Sequence, residues 1–220
     1  MQSKTPTSNR AIWLIAGTLL LIPAIMAAFT SPGNSIDHDI LKGISPLVTD
    51  SRTRFMKFIT FYGNRDFLVP ANLLLVFLFI IRKNKWMAIT TAAVGLSSLG
   101  LMVSLKSLTR RPRPDHPMVE GVTNFSFPSG HTLMGVAFYG LLIWLVVKYV
   151  PEKWKRNLLI VLLTALMLII GFSRIYLRMH YTSDVIAGYS IGMIWLMLVL
   201  ALMEQARKKY EVPGRPDQGL

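Results

Sequence analysis

The sequence predicts an all-α integral membrane protein, built as a bundle of six transmembrane helices. Hydrophobic residues make up 52% of the 220 residues, and the mean hydropathy of +0.46 exceeds that of a typical soluble domain. The apolar residues are gathered in long runs with few charges, which is typical of segments that cross a bilayer. The chain has no cysteine, so disulfides and thiolate metal sites are excluded.

Six apolar segments approach the ~20 helical residues that a bilayer crossing requires. The first follows Lys4 and Arg10 and so resembles a signal peptide, but it is longer than a signal core and precedes no convincing cleavage site. We interpret it as a retained span. The second, fourth and fifth segments are short, and we expect their ends to extend into the flanking polar residues. The six segments comprise residues 11–29, 67–81, 86–105, 132–147, 157–172 and 185–203.

The segment at 38–62, between the first two spans, has a different pattern. Apolar residues recur there at helical spacing, charged residues fill the other face, and Ser45-Pro46 interrupts it. This pattern predicts one or two amphipathic helices in the outer membrane interface, or helices packed on the outer surface of the bundle. Either arrangement could frame a lateral entrance for a lipid.

A single domain is predicted at residues 1–211, since no internal repeat is evident. The tail at 212–220 contains Pro213, Gly214 and Pro216 and is predicted to be disordered.

The motif Ser173-Arg174-x5-His180-x3-Asp184 follows the fifth span. On a helix, His180 and Asp184 would share one face, and the carboxylate could accept a proton from one imidazole nitrogen. That contact would leave the other nitrogen free as a nucleophile or base. The arginine offers a planar fork of donors for phosphate oxygens. The simpler interpretations are a surface ion pair and an arginine that snorkels to the interface.

The motif Pro128-Ser129-Gly130-His131 directly precedes the fourth span. Proline and glycine favour a tight turn, and Ser129 can cap the following helix. The free N–H groups at a helix start form an anion site, with His131 placed to give or take a proton. An ordinary helix cap beside an interfacial histidine is the alternative.

The motif Lys106-x6-Arg113-Pro114 ends the third span. A loop stiffened by two prolines can hold both cations toward one point. The intervening Arg110 and Arg111 are expected to face solvent or lipid headgroups. A juxtamembrane basic patch on anionic lipids is the alternative for the whole run.

Orientation follows from basic residues near the span ends and from the positions of the motifs. With the N-terminus inside, 13 basic residues lie on the inner side and 11 on the outer side, a weak bias. All three motifs then fall on the outer side, as one site requires. We therefore expect both termini in the cytoplasm and the site on the outer face.

The three motifs together identify the chain as resembling the type 2 phosphatidic acid phosphatase family of membrane lipid phosphatases. The resemblance is carried by Lys106-x6-Arg113-Pro114, Pro128-Ser129-Gly130-His131 and Ser173-Arg174-x5-His180-x3-Asp184, and the six-span layout extends it over most of the chain. Among members, the chain looks most like small bacterial enzymes that act on phosphatidylglycerol phosphate or undecaprenyl pyrophosphate. The resemblance therefore implies a multi-pass protein of a bacterial plasma membrane.

The resemblance also implies a catalytic role for each motif residue. His180 would attack phosphorus and form a phosphohistidine, Asp184 would orient His180, and His131 would protonate the leaving oxygen and later activate water. The phosphate-binding residues would be Lys106, Arg113, Ser129, Gly130 and Arg174. No acidic metal-binding cluster lies near the motifs, so we expect a metal-independent reaction without a cofactor.

The expected partners are a lipid phosphate substrate, such as phosphatidylglycerol phosphate, undecaprenyl pyrophosphate or phosphatidic acid, and the bilayer that carries it. No nucleic-acid partner is expected, and the oligomeric state is left open by the sequence. Two alternatives use the same residues: a phosphotransferase that passes phosphate from the phosphohistidine to an alcohol, and a non-catalytic lipid-binding protein. Haloperoxidase activity is remote, because the chain has no large soluble domain.

Overall fold

The computed structural model describes residues 7–29, 35–121 and 124–210, and the regular secondary structure of this part of the chain is entirely helical. The predicted all-α class is therefore confirmed. The predicted tail at 212–220 lies outside the described residues, and the one-domain extent of 1–211 stays a prediction. The helices are α1 (Thr7–Phe29), α2 (Ser35–Ile44), a 3-10 helix (Ser45–Leu47), α3 (Asp50–Phe61), α4 (Arg65–Ile81), α5 (Lys85–Thr109), α6 (Gly130–Tyr149), α7 (Lys153–Tyr176) and α8 (Thr182–Tyr210).

Predicted spans two to six coincide with helical segments that are long and apolar enough to cross a membrane. Their ends extend into the flanking polar residues, as expected for the short segments. Helix α1 covers the predicted first span, but its described apolar stretch, Thr18–Phe29, is too short to count as a crossing, so the total of six stays a prediction. Among the described residues, the five candidate spans are Asp50–Ile81, Lys85–Thr109, Gly130–Tyr149, Lys153–Tyr176 and Thr182–Tyr210.

The amphipathic segment at 38–62 forms two helices, which favours the two-helix form of the prediction. The 3-10 helix Ser45–Leu47 separates α2 from α3 at the predicted Ser45-Pro46 interruption, and Thr49 caps α3 by accepting from the Arg52 N–H. Apolar residues of this segment pack on the end of α7 and on the loop that follows it, in a cluster formed by Tyr176, Leu177 and Met179 with Ile44, Val48 and Met56. The two helices therefore cover one end of the bundle, and their placement in the membrane interface stays a prediction.

Helices α6 and α8 form the centre of the bundle through a close backbone contact. A Cβ atom on Gly188 would lie 2.8 Å from the carbonyl oxygen of Ser129, and one on Gly192 would lie 2.8 Å from that of Leu133. Small residues one helical turn apart allow two membrane helices to approach this closely. Because both helices begin at the same end of the bundle, their first turns are held side by side.

Candidate active site

The three motifs lie at four helix ends that meet at one end of the bundle. Lys106 lies in the last turn of α5 and Arg174 in the last turn of α7, whereas Asp184 lies in the first turn of α8. The Ser129 N–H, at the start of α6, donates a hydrogen bond of 3.0 Å to the Asp184 carbonyl oxygen. This convergence agrees with the prediction that the three motifs lie on one side of the protein.

His180 lies in the turn between α7 and α8, with only 2% of its surface exposed. The prediction that it shares a helix face with Asp184 is wrong, because α8 begins only at Thr182. The N–H groups of Met179 and His180 instead donate to the Arg174 carbonyl oxygen at 2.9 and 3.2 Å. This hydrogen-bonded turn fixes the backbone from which the imidazole projects.

His180 and Asp184 are neighbours, as predicted, but a third residue links them. Their Nδ1 and Oδ2 atoms are 3.7 Å apart, which is an ion-pair distance rather than a hydrogen bond. The Ser126 hydroxyl donates to Asp184 Oδ2 at 2.5 Å and lies 3.3 Å from His180 Nδ1. Sequence reasoning missed Ser126, because a serine two residues before a proline turn carries no distinctive spacing.

The environment of His180 favours the neutral form of its imidazole. Burial lowers the pKa of His180 well below its usual value of 6.5, and the nearby cations Arg174, Arg113 and Lys106 lower it further. The Ser126 backbone acts in the opposite direction and does not offset these effects on the pKa. A neutral imidazole has a free lone pair, which a nucleophile or base requires.

The Nε2 atom of His180 faces Arg113, whose Nη1 lies 3.4 Å away. Arg113 is fixed by backbone oxygens, since its Nε donates to the Asn124 carbonyl at 2.8 Å and its Nη1 donates to the Met179 carbonyl. Burial lowers the pKa of Arg113, while the charge of Asp184 acts to raise it. The predicted cation is therefore held directly in front of the predicted nucleophilic atom.

Lys106 and the turn at 128–131 form a second wall of the site. The Lys106 ammonium donates to the Phe125 carbonyl, and its Cε would lie 3.7 Å from a Cβ placed on Gly130. Ser129 occupies the N-cap position of α6, but its side chain makes no capping hydrogen bond, so the predicted side-chain cap is wrong. Its Oγ is buried without any partner.

Unpaired buried polar atoms are concentrated at this site. Arg174 uses Nη1 to donate to Thr60 Oγ1 at 2.7 Å, whereas its Nε is buried without a hydrogen-bond partner. In the described part of the chain, four buried side-chain atoms lack a partner, and two of them are Ser129 Oγ and Arg174 Nε. Both residues were predicted to bind phosphate.

His131, in the first turn of α6, completes the predicted set. Its ring lies beside the turn after α3, because a Cβ on Gly63 would come within 3.1 Å of the His131 Cδ2 atom. It interacts electrostatically with Arg174, His180, Lys106 and Arg113.

Arg111 is buried, contrary to the prediction. It was expected to face solvent or lipid headgroups, but it is 6% exposed and forms ion pairs with Asp37 at 3.0 Å and Asp184 at 2.5 Å. Its neighbour Arg110 is exposed, as expected. The acidic partner Asp37 belongs to α2 and gave no signal in the sequence, because an acid in an amphipathic helix normally faces water.

Fold and site together define a multi-pass helical protein with a buried cluster of histidines, cations and a carboxylate at one end. The family model of the PAP2 superfamily matches residues 85–208. This chain belongs to the PAP2 superfamily.

Named relatives agree with this membership. Phosphatidylglycerophosphatase B of Bacillus subtilis is 28% identical over 195 residues, covering 87% of this chain and 96% of that protein. Lipid A 1-phosphatase of Rhizobium johnstonii is 32% identical over 115 residues, covering 47% of this chain and 43% of that protein.

Two solved structures have the same fold. The crystal structure of a transmembrane PAP2 type phosphatidylglycerolphosphate phosphatase from Bacillus subtilis matches with a TM-score of 0.76 and 25% identity, covering 92% of this chain and 98% of that one. The crystal structure of Aquifex aeolicus LpxE matches with a TM-score of 0.55 and 27% identity, covering 74% of this chain and 93% of that one.

Proposed function

We propose that this protein is a membrane lipid phosphatase that hydrolyses the phosphate or pyrophosphate headgroup of a lipid through a phosphohistidine intermediate, without a metal. One observation carries the proposal. The buried, unpaired atoms Ser129 Oγ and Arg174 Nε accompany a neutral histidine whose Nε2 faces Arg113. Unpaired buried donors are costly, and a phosphate oxygen would satisfy them.

In the first step, the Nε2 lone pair of His180 attacks phosphorus. A P–N bond forms, and the bond from phosphorus to the leaving oxygen breaks, which is the lipid oxygen in a monophosphate or the lipid phosphate oxygen in a pyrophosphate. His131 enters the step as an imidazolium and donates a proton to that oxygen. The positive charge on the imidazole is stabilised by Asp184 through Ser126. The non-bridging oxygens are stabilised by fixed donors, namely Lys106, Arg113, Arg174, Ser129 and the N–H groups around Gly130.

In the second step, water attacks the phosphohistidine. His131 accepts a proton from that water, the P–N bond breaks, and inorganic phosphate leaves. His180 regains its lone pair, and the enzyme returns to its starting state. Each protonation is reversed within one cycle.

The names of the relatives support a lipid as the substrate. The related proteins are named for phosphatidylglycerophosphate and for lipid A 1-phosphate. A site at the ends of α5, α6, α7 and α8 would meet a phosphate at headgroup depth while the lipid tails remain in the bilayer. We propose phosphatidylglycerol phosphate, undecaprenyl pyrophosphate or phosphatidic acid as substrate. We also propose a bacterial plasma membrane location, with both termini cytoplasmic and the site on the outer face.

The test is phosphate release by the purified protein from phosphatidylglycerol phosphate, undecaprenyl pyrophosphate and phosphatidic acid, with chelator present and with or without an added alcohol. His180→Ala is the blank, and His116→Ala, which removes an exposed histidine outside the site, is the matched control. We expect turnover that survives chelator and the control change but is abolished in a folded His180→Ala protein.

Other outcomes of this experiment would contradict the proposal in different ways. Turnover by folded His180→Ala would remove the nucleophile from the mechanism. Activity lost in chelator and restored by magnesium would refute metal independence. Phosphate found on an added alcohol instead of in solution would indicate a phosphotransferase, and no product from either lipid or from phosphatidic acid would refute the substrate assignment.

A further inference from the structure

A buried chain of charges joins α2 to the predicted catalytic carboxylate. Arg111 uses Nη1 to contact Asp184 Oδ1 at 2.5 Å and Nη2 to contact Asp37 Oδ2 at 3.0 Å. The exposed fractions of Asp37, Arg111 and Asp184 are 1%, 6% and 0%. One guanidinium thus bridges two carboxylates that lie far apart in the sequence.

The same chain fastens the first turn of α8. Asp37 accepts hydrogen bonds from the Ser183 N–H at 3.0 Å and from the Ser183 hydroxyl at 2.5 Å. Arg111 Nη1 donates to the Ser183 hydroxyl oxygen at 2.8 Å, and its guanidinium lies 4.4 Å from the centre of the Tyr181 ring. The residue before Asp184 is therefore held by both members of the Asp37–Arg111 pair.

The two oxygens of Asp184 have separate partners. Oδ1 is held by Arg111, whereas Oδ2 accepts from the Ser126 hydroxyl at 2.5 Å and from the Tyr181 N–H at 2.9 Å. Since Arg111 occupies Oδ1, the carboxylate cannot rotate without losing a charged hydrogen bond. This arrangement keeps Oδ2 directed at Ser126, and through it at His180.

We propose that Arg111 and Asp37 are positioning residues for the reaction: Arg111 orients Asp184, and Asp37 orients Arg111. Neither residue belongs to the set that would hold phosphate or carry protons. The proposal rests on the phosphatase function proposed above. It adds that helix α2 is required for catalysis as well as for packing.

The shape of the guanidinium supports a role in positioning. Only arginine presents a planar fork whose two ends can contact two carboxylates at once, and a lysine ammonium cannot reproduce this geometry. Buried ion pairs are in addition weak evidence of a gain in stability, because desolvation offsets their attraction. The bridging geometry is therefore better explained by a role of Arg111 in orienting Asp184 than by a contribution of the ion pairs to folding.

The test uses conservative variants and matched controls on the same elements. Arg111→Lys and Asp37→Asn are compared with Arg110→Lys and Asp39→Asn, which change exposed neighbours of the same charge. We expect Arg111→Lys to lower kcat by about 10²-fold, the loss that a displacement of about 1 Å produces in an active site. Asp37→Asn should lower kcat less, and the controls should leave it unchanged.

The division between kcat and KM distinguishes orientation from phosphate binding. Neither Arg111 nor Asp37 touches the proposed phosphate-binding set, so KM and competitive inhibition by inorganic phosphate should stay within about twofold of the unmodified protein. A rise in KM with unchanged kcat would overturn the proposal. If the unmodified protein released no phosphate, the proposed function itself would fail, which is a different result.

A double-mutant cycle with Asp184→Asn decides whether Arg111 acts through Asp184. If it does, Arg111→Lys should lower kcat by less than about threefold in the Asp184→Asn protein, because the effects of residues that act as a unit are not additive. Likewise, if Asp37 acts through Arg111, Asp37→Asn should lower kcat by less than about threefold in the Arg111→Lys protein. Full additivity in folded double variants, judged by a monodisperse elution and a cooperative thermal transition, would overturn the proposal.

Discussion

The Ser126 hydroxyl donates a hydrogen bond of 2.5 Å to Asp184 Oδ2. Its oxygen also lies 3.3 Å from His180 Nδ1, and the carboxylate itself is farther away at 3.7 Å. Because Ser126 gives its proton to Asp184, its oxygen is left to accept the proton on Nδ1. This hydrogen-bond pattern assigns the His180 tautomer that carries its lone pair on Nε2, the atom that faces Arg113.

The first prediction concerns this bridge. Ser126→Ala should lower kcat by about 10- to 150-fold, since a hydrogen bond to a charged group contributes about 1.5–3 kcal/mol. KM should change little, because Ser126 is not in the proposed phosphate-binding set. Steady-state phosphate release measures both constants, with Ser107→Ala, an exposed serine near the end of α5, as the matched control. An unchanged kcat would show that Asp184 acts on His180 without Ser126.

The sequence predicts the helix ends and the motif residues because each has a local signature. Apolar runs set α4 to α8, and Lys106, His131 and Arg174 stand at the ends of those runs. Ser126 and Asp37 have no such signature. Their partners are 58 and 74 residues away along the chain, and only the assembled bundle brings them together.

The second prediction concerns acid. The folded-state pKa of His180 lies well below 6.5, whereas an unfolded histidine titrates near 6.5. As pH falls from 7.5 to 5.5, the unfolded state binds this proton and the folded state does not, so the free energy of unfolding should fall. Above pH 6.5, the titration of His180 does not lower the free energy of unfolding. Thermal unfolding in detergent at the two pH values should show a larger loss for the unmodified protein than for His180→Gln.

The control for this experiment is His116→Gln, which removes an exposed histidine and should keep the pH response of the unmodified protein. In the same pH range, kcat/KM should show no acid limb at 6.5 attributable to His180, because its lone pair remains free. Equal loss of stability in His180→Gln and the unmodified protein would contradict the lowered pKa.

The third prediction concerns the unpaired Nε of Arg174. Arg174→Lys should lower kcat/KM by about 10- to 150-fold, since lysine has no Nε–H and the loss of a hydrogen bond to a charged group is about 1.5–3 kcal/mol. Most of the change should appear in KM, measured by phosphate release at varied lipid concentration. Arg178→Lys, four residues away and outside the proposed site, is the matched control. Equal effects of the two changes would show that the Nε–H of Arg174 has no special role in binding phosphate.

The sequence predicted only part of the environment of Arg174. Its position within the Ser173-Arg174 motif indicated a phosphate ligand. Its contact with Thr60 on α3 could not be predicted, because α3 was interpreted only as part of an amphipathic segment. Local patterns therefore predicted the motif residues and the amphipathic helices at 38–62, whereas the contact of those helices with the site became visible only in the fold.

The fourth prediction tests whether close packing of α8 on α6 positions the turn at 128–131. A Cβ on Gly188 would lie 2.0 Å from Thr132 Oγ1 and 2.8 Å from the Ser129 carbonyl oxygen. Gly188→Ala should therefore destabilise the protein by about 1–3 kcal/mol, the usual effect of overpacking, and should also lower kcat. Gly100→Ala is the matched control, because nothing lies within 4 Å of a Cβ at that position.

A second substitution separates the two clashes of Gly188→Ala. Adding Thr132→Ala removes the contact with a side chain that could rotate, but it leaves the contact with the Ser129 backbone. Thermal stability should then recover in part, while kcat should remain low, because the Ser129 carbonyl and the turn that carries His131 are still displaced. Full recovery of kcat in the double variant would show that Thr132, and not the backbone of the turn, is what Gly188 accommodates.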